Sequence, residues 1–352
     1  MNPFYRISTK QKMFFAQHMA IMSRSGMQIL DILKALKKQN KSKSFGRILD
    51  DLIESVKNGQ FLSEGLKKYQ RLFEDFFINI VHVGEVSGTL ADNLEYLADN
   101  LKKKRELQSK VKGVMVYPII ILVATMGLTG ALTFFIFPKI LPIFTSLNIK
   151  LPLVTRIFIA FSTFMIEHGI AVFGGIILLA IAIPLILRIV FLRRLWHRLL
   201  LHLPAVGTMV KNYNMVNFIR SLSLLLKSGV KIVEALEITS RSSINLIYRE
   251  ALEEIAQSVR KGEVMSKELA IHGKLFPGVF VEMISVGEST GKLTDTGIYL
   301  ANYYEGELDN ATKALSNILE PLMLLLMGGI VGFVALSIIL PIYEVSQNIK
   351  PQ

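Results

Sequence analysis

The chain has 352 residues, 51% of them hydrophobic, with no cysteine and a formal charge of +12. The missing cysteine excludes disulfides and thiolate metal sites. Charge is absent from long stretches and dense between them, which is the profile of a membrane protein with soluble parts rather than of one large core.

The opening MNPFYRISTKQKMFFAQHMAIM is not a secretory signal, because Gln17 and His18 break its apolar run and no small-residue cleavage site follows. From FFAQHMAIMSRSG onward, apolar residues recur at three- and four-residue steps and predict an amphipathic helix. Gly26 is suited to end it in a left-handed stop. MQILDILKALKK starts the next helix at once, making a helical hairpin, and periodic runs follow at 45–57, 76–83 and 90–104. Residues 1–112 therefore read as a bundle of about six short helices. Val114 to Phe137 is free of charge. As a helix it spans about 36 Å, enough to cross ~30 Å of hydrocarbon. The first transmembrane helix is placed at 113–138. Residues 139–168 form an outer connector, whose amphipathic stretch Leu153–Glu167 is expected to lie along the membrane surface rather than join the next span. A second span occupies 169–191, a second bundle 192–316, a third span 317–342 and an outer tail 343–352. The fold class is thus an all-α membrane protein with two homologous helical bundles and three transmembrane helices.

VGEVSGTLADNLEYLA begins at Val83 and VGESTGKLTDTGIYLA at Val286, 203 residues later. The same offset pairs Gly26 with Gly229, Gly59 with Gly262, Phe73 with Phe276, Pro118 with Pro321 and Pro138 with Pro341. This is an internal duplication. Each copy is a soluble segment followed by a span. One crossing inverts the chain, so the unpaired middle span is what returns copy two to the side of copy one. Lys102, Lys103, Lys104, Arg105, Lys110 and Lys112 precede the first span, and Arg188, Arg193, Arg194 and Arg198 follow the second. The positive-inside rule then puts both bundles and the N-terminus in the cytoplasm. The same rule explains the basic balance without nucleic acid.

Chemistry is sparse. GESTGK at Gly287–Lys292 resembles a phosphate loop, but three residues separate its glycines where four are needed, and Leu293 stands where a hydroxyl should hold Mg²⁺. The six histidines form no metal-ligand spacing, and no Gly-x-Ser-x-Gly elbow occurs. No catalytic residue, cofactor or metal is expected. The repeated phrase itself, Gly84, Glu85, Ser87 and Gly88 with Gly287, Glu288, Thr290 and Gly291, reads as a helix end, a turn and a new helix start. Ser87 and Thr290 are expected to cap the following helix, with the carboxylate near that N-terminus. The functional alternative is that the glutamates meet a partner or a cation. The spans hold no charge besides Arg188 near the inner end of the second and Glu320 near the start of the third, with Glu344 just past the third. That argues against the rival reading of a transporter or channel with duplicated soluble domains.

KVKGVMVYPIIILVATMGLTGALTFFIFP, from Lys110 to Pro138, resembles the signature of the type II secretion F family, with Lys110, Tyr117, Pro118 and Pro138 in its fixed positions. Pro321 and Pro341 repeat it in copy two, where Glu320 replaces the tyrosine. The hairpin turns at Gly26 and Gly229, the duplication and the three spans also resemble this family. The short start is more like the type IVb pilus or competence branch. The resemblance implies a non-enzymatic platform in the bacterial inner membrane, for a type IV pilus or a type II secretion machine. It implies coupling of a cytoplasmic hexameric assembly ATPase, with a retraction ATPase as a further candidate, to extraction of pilins or pseudopilins. Other inner-membrane assembly proteins, membrane lipids and further copies of the chain are the remaining implied partners.

Overall fold

The 203-residue offset reappears in the helix boundaries of a computed structural model, which describes residues 7–136, 152–204 and 206–348. Copy one comprises α1 (Thr9–Arg24), α2 (Ile29–Gln39), α3 (Lys43–Lys57), α4 (Leu62–Lys67), α5 (Gln70–Ser87) and the start of α6 (Leu90–Ala131). A π-helical turn, Leu132–Ile136, follows. The unpaired middle contributes α7 (Leu153–Ile186) and α8 (Val190–His202). Copy two comprises α9 (Val206–Lys227), α10 (Ile232–Ser242), α11 (Leu246–Arg260), α12 (Met265–Ile271), α13 (Gly278–Ser289) and α14 (Leu293–Asn348). The fold is all-α among the described residues.

Local chemistry sets the ends. Ser8 and Gln11 form a capping box at the start of α1: the Gln11 N–H donates to Ser8 Oγ at 3.2 Å and the Ser8 N–H to Gln11 Oε1 at 2.8 Å. Gly26 has φ +80° and Gly229 φ +88°. After α1 the Met27 N–H donates to the Met22 carbonyl at 3.1 Å and the Gly26 N–H to Ser23 at 3.0 Å. After α9 the Val230 N–H donates to Leu225 and the Gly229 N–H to Leu226, both at 3.0 Å. Both are Schellman stops, which a Cβ at the glycine would strain.

The chain divides into two compact units: Met1–Lys110 with Arg194–Ala311, and Val111–Arg193 with Thr312–Gln352. In the first unit, both copies share one continuous hydrophobic core. Each copy contributes the same aromatic triad. Phe15, Phe73 and Phe77 meet in copy one, with Phe73 and Phe77 centroids 5.0 Å apart. Phe218, Phe276 and Phe280 meet in copy two, with Phe276 and Phe280 5.7 Å apart. Phe45 of copy one is matched by Tyr248, whose buried hydroxyl donates to the Leu275 carbonyl at 2.9 Å. The two bundles, expected at 1–112 and 192–316, therefore meet along their facing apolar surfaces.

The second unit holds the apolar lengths. Among the described residues, three helices are long and apolar enough to cross a membrane, and they lie within α6, α7 and α14. Domain borders drawn at 112/113, 316/317 and 342/343 fall inside unbroken helices, since α6 has 42 residues and α14 has 56. Nothing at those borders breaks the 3.6-residue pattern. The largest departure from the sequence reading is α7. Leu153–Glu167 is no separate surface helix; it continues into the middle span as one helix of 34 residues, Leu153–Ile186. Two residues of its first half pack against α14. Thr155 Oγ1 donates to the Ser337 carbonyl at 3.0 Å, and buried Phe158 packs with Val334 and Phe333 of α14. Residues 139–151 of the proposed connector lie outside the described residues.

Candidate functional site

The repeated phrase is built the same way in both copies. Glu85, in the last turn of α5, reaches back 23 residues and accepts the Leu62 and Ser63 N–H groups, at 2.6 and 2.9 Å. Glu288 accepts those of Met265 and Ser266 at 2.8 and 3.0 Å. Each carboxylate thus closes the N-terminus of the short helix α4 or α12, where neither preceding residue supplies a side-chain cap. This corrects the sequence reading, which placed the carboxylate at the helix that follows. The hydroxyls differ from expectation too. Ser87 Oγ donates to the Val83 carbonyl and Thr290 Oγ1 to Val286, both at 2.7 Å, so they finish α5 and α13 instead of capping α6 and α14.

The glycines have two different tasks. Gly88 and Gly291 turn the chain at φ +72° and +69°. Gly84 and Gly287 let helices touch. A Cβ on Gly84 would lie 2.8 Å from Leu90 Cα, and one on Gly287 2.9 Å from Thr296 Cβ.

Other members of the predicted set are dispersed. Lys110 Nζ contacts both carboxylate oxygens of Asp309 at 2.8 Å, tying α6 to α14 within the first unit. Tyr117 is exposed, Pro118 lies inside α6, and Pro321 and Pro341 lie inside α14. Pro138 lies outside the described residues. No group of three or more His, Cys, Asp or Glu able to hold a metal occurs among the described residues.

One cluster escaped the sequence reading. Glu74 sits at φ +65°, ψ 153°, a conformation that residues other than glycine avoid. Its carboxylate is 3.1 Å from Lys12 Nζ and 3.7 Å from Lys104 Nζ. Burial raises its pKa, but Lys104 and Lys12 outweigh this and hold it below the ordinary value. The group lines a small crevice of about 60 Å³ between the copies, together with Asn214, Asn217 and Thr239 of copy two. At the 203-residue offset the partner of Glu74 is Pro277, with an ordinary φ of −61°. That mismatch was the available signal. In the core of copy two, Tyr304, packed on Phe280, is pushed up to about 12 by burial, Tyr303 and Glu307. Burial and then Tyr304 push Tyr248 higher still, so its hydroxyl stays protonated and keeps donating.

Comparison with known proteins gives the same duplication. The family model for type II secretion system protein F matches twice, at residues 15–138 and 218–341. The type IV pilus assembly protein PilC of Thermus thermophilus is 33% identical over 347 residues, covering 97% of this chain and 84% of the relative. PilC of Myxococcus xanthus is 28% identical, covering 99% and 83%. The type II secretion system protein F of Pseudomonas aeruginosa is 30% identical, covering 97% and 84%. These matches set aside the transporter or channel alternative. A duplicated helical module, three apolar spans and matches over nearly the whole length show that the chain belongs to the type II secretion protein F family, the multi-pass, non-enzymatic membrane platform proteins of type IV pilus and type II secretion machines.

Proposed function

We propose that the first unit lies in the cytoplasm, where it meets the hexameric assembly ATPase and passes its motion to pilins or pseudopilins leaving the inner membrane. A retraction ATPase would dock on the same unit. The carrying observation is the core shared by the two copies. Two modules with one core need to be on one side of the bilayer, which is what the unpaired middle span allows. The basic residues at 102–112 and 188–198 favour the cytoplasmic side. Anionic lipid headgroups fit the same basic flanks. Glu85 and Glu288 spend both carboxylate oxygens on backbone N–H groups, so the partner surface is to be sought on exposed helix faces instead. The first and third spans, in α6 and α14, are the faces offered to pilins and other inner-membrane assembly proteins. Further copies of the chain complete the partner set.

The test is co-purification in mild detergent with the assembly ATPase of the same machine, paired with a reporter fused at Glu250. The expected result is a stable complex and a cytoplasmic reporter signal. A reporter active outside the membrane would sink the topology, and with it the ATPase contact.

A further inference from the structure

The two copies in the first unit meet head to tail. Copy one presents the outer face of α5 and α6. Copy two receives it in the groove between α9 and α14 and along α10. Lys227 Nζ lies 4.1 Å from the centroid of the Tyr96 ring, and Ser228 Oγ lies 3.2 Å from Asn93 Oδ1. Lys227 and Tyr96 are not counterparts in the duplication. The counterpart of Lys227 is Arg24, and that of Tyr96 is Tyr299. A contact between unlike surfaces leaves one of each unused. The open groove is on α1 and α6, and the open face is on α13 and α14.

Exposure follows this asymmetry residue by residue. Leu224, in the filled groove, is 8% exposed, while its counterpart Ile21, in the open one, is 58% exposed. Phe76, on the used face, is 9% exposed, while its counterpart Val279 is 60% exposed. Tyr299 stands out from α14 at 59%. The open groove has a volume of about 920 Å³ and is lined by Ile21, Arg24 and residues of α6. Within one chain Arg24 pairs with Asp92 at 2.8 Å and with Glu95 at 2.5 Å, so the intermolecular contact exchanges these exposed pairs for the Tyr299 ring.

We propose that a second copy of this chain fills the α1–α6 groove with the Tyr299 face of its α14, Arg24 taking the place over Tyr299 that Lys227 holds over Tyr96. The contact repeats one the molecule already makes within itself, with a cation over an aromatic face and Ile21 beside it in a largely polar groove. Such a head-to-tail contact builds a ring where the rotation closes and a filament where it does not. It rests on the homo-oligomeric reading above and supplies its surface.

The cysteine-free chain makes the test direct. R24C and Y299C are placed on separate, differently tagged chains, co-expressed in membranes and treated with a short bis-maleimide. The expected product is a covalent dimer carrying both tags, with little from either variant alone. A single chain carrying K227C and Y96C is the folding control and should link internally, without doubling in mass. If the control links and the two-tag dimer is absent, the proposal fails. It also fails if Y299C links to itself as readily, or to a different protein. In a second arm, Tyr299→Glu in the otherwise native chain should lower the oligomer mass in detergent, and an unchanged mass overturns the contact. An oligomer without the Arg24–Tyr299 link would remove this interface and leave ATPase binding untouched, whereas loss of ATPase co-purification would do the reverse.

Discussion

Glu85 and Glu288 each answer two orphan N–H groups at the start of a helix of six or seven residues. A helix that short has little stability of its own. Glu288→Ala leaves both donors without their acceptor and is expected to cost about 1–3 kcal/mol, read as a fall in the melting temperature of the detergent-solubilised protein. Glu288→Gln, which keeps one acceptor oxygen, should fall between. Glu74 carries a pH signature. Its folded pKa lies below the ordinary 4.5, because Lys104 and Lys12 outweigh burial. The stability it contributes is therefore complete above pH 4.5 and disappears as pH falls through the lower folded value. Acid-unfolding curves of the native chain and Glu74→Gln should differ above that window and converge below it. Glu74 also holds a strained backbone, which Pro277 avoids in copy two. Glu74→Gly should accordingly be more stable than Glu74→Ala by about 1 kcal/mol or more.

At the scale of elements, close approach and continuity decide the architecture. Gly287→Ala drives a Cβ to 2.9 Å from Thr296 Cβ and 3.2 Å from Leu293 Cα, where backbone cannot yield cheaply. A loss of about 1–3 kcal/mol is expected. Gly306→Ala, in α14 with nothing within 4 Å of the added Cβ, should instead gain up to ~1 kcal/mol from helix propensity. Parallel melting curves of the two variants check the contrast. Helix ends were readable in the sequence because they rest on local chemistry: Gly26, Gly59, Gly229 and Gly262 each sit at positive φ just past a helix. The target of Glu85 was not, because its bond spans 23 residues and no spacing rule announces it. Nor was the unity of α7. Glu167 and His168 interrupt its apolar run, and the burial of Thr155 and Phe158 against α14 depends on contacts made about 180 residues away.

At the scale of the molecule, the duplication was legible in full, and the union of its copies was not. A repeat fixes which residues correspond; it is silent on how equivalent modules face one another. The core they share has a consequence for the integrity of the polypeptide. A protease site inserted after residue 145 and then cut would produce two fragments, each holding half of that core. They should migrate together on a native gel and separate in denaturing detergent, and fragments expressed from two genes should reassemble. Fragments that part without denaturant would show that the halves rely on their tether. A nicked chain that stays whole would mean that peptide continuity across the bilayer is dispensable once the halves have found each other.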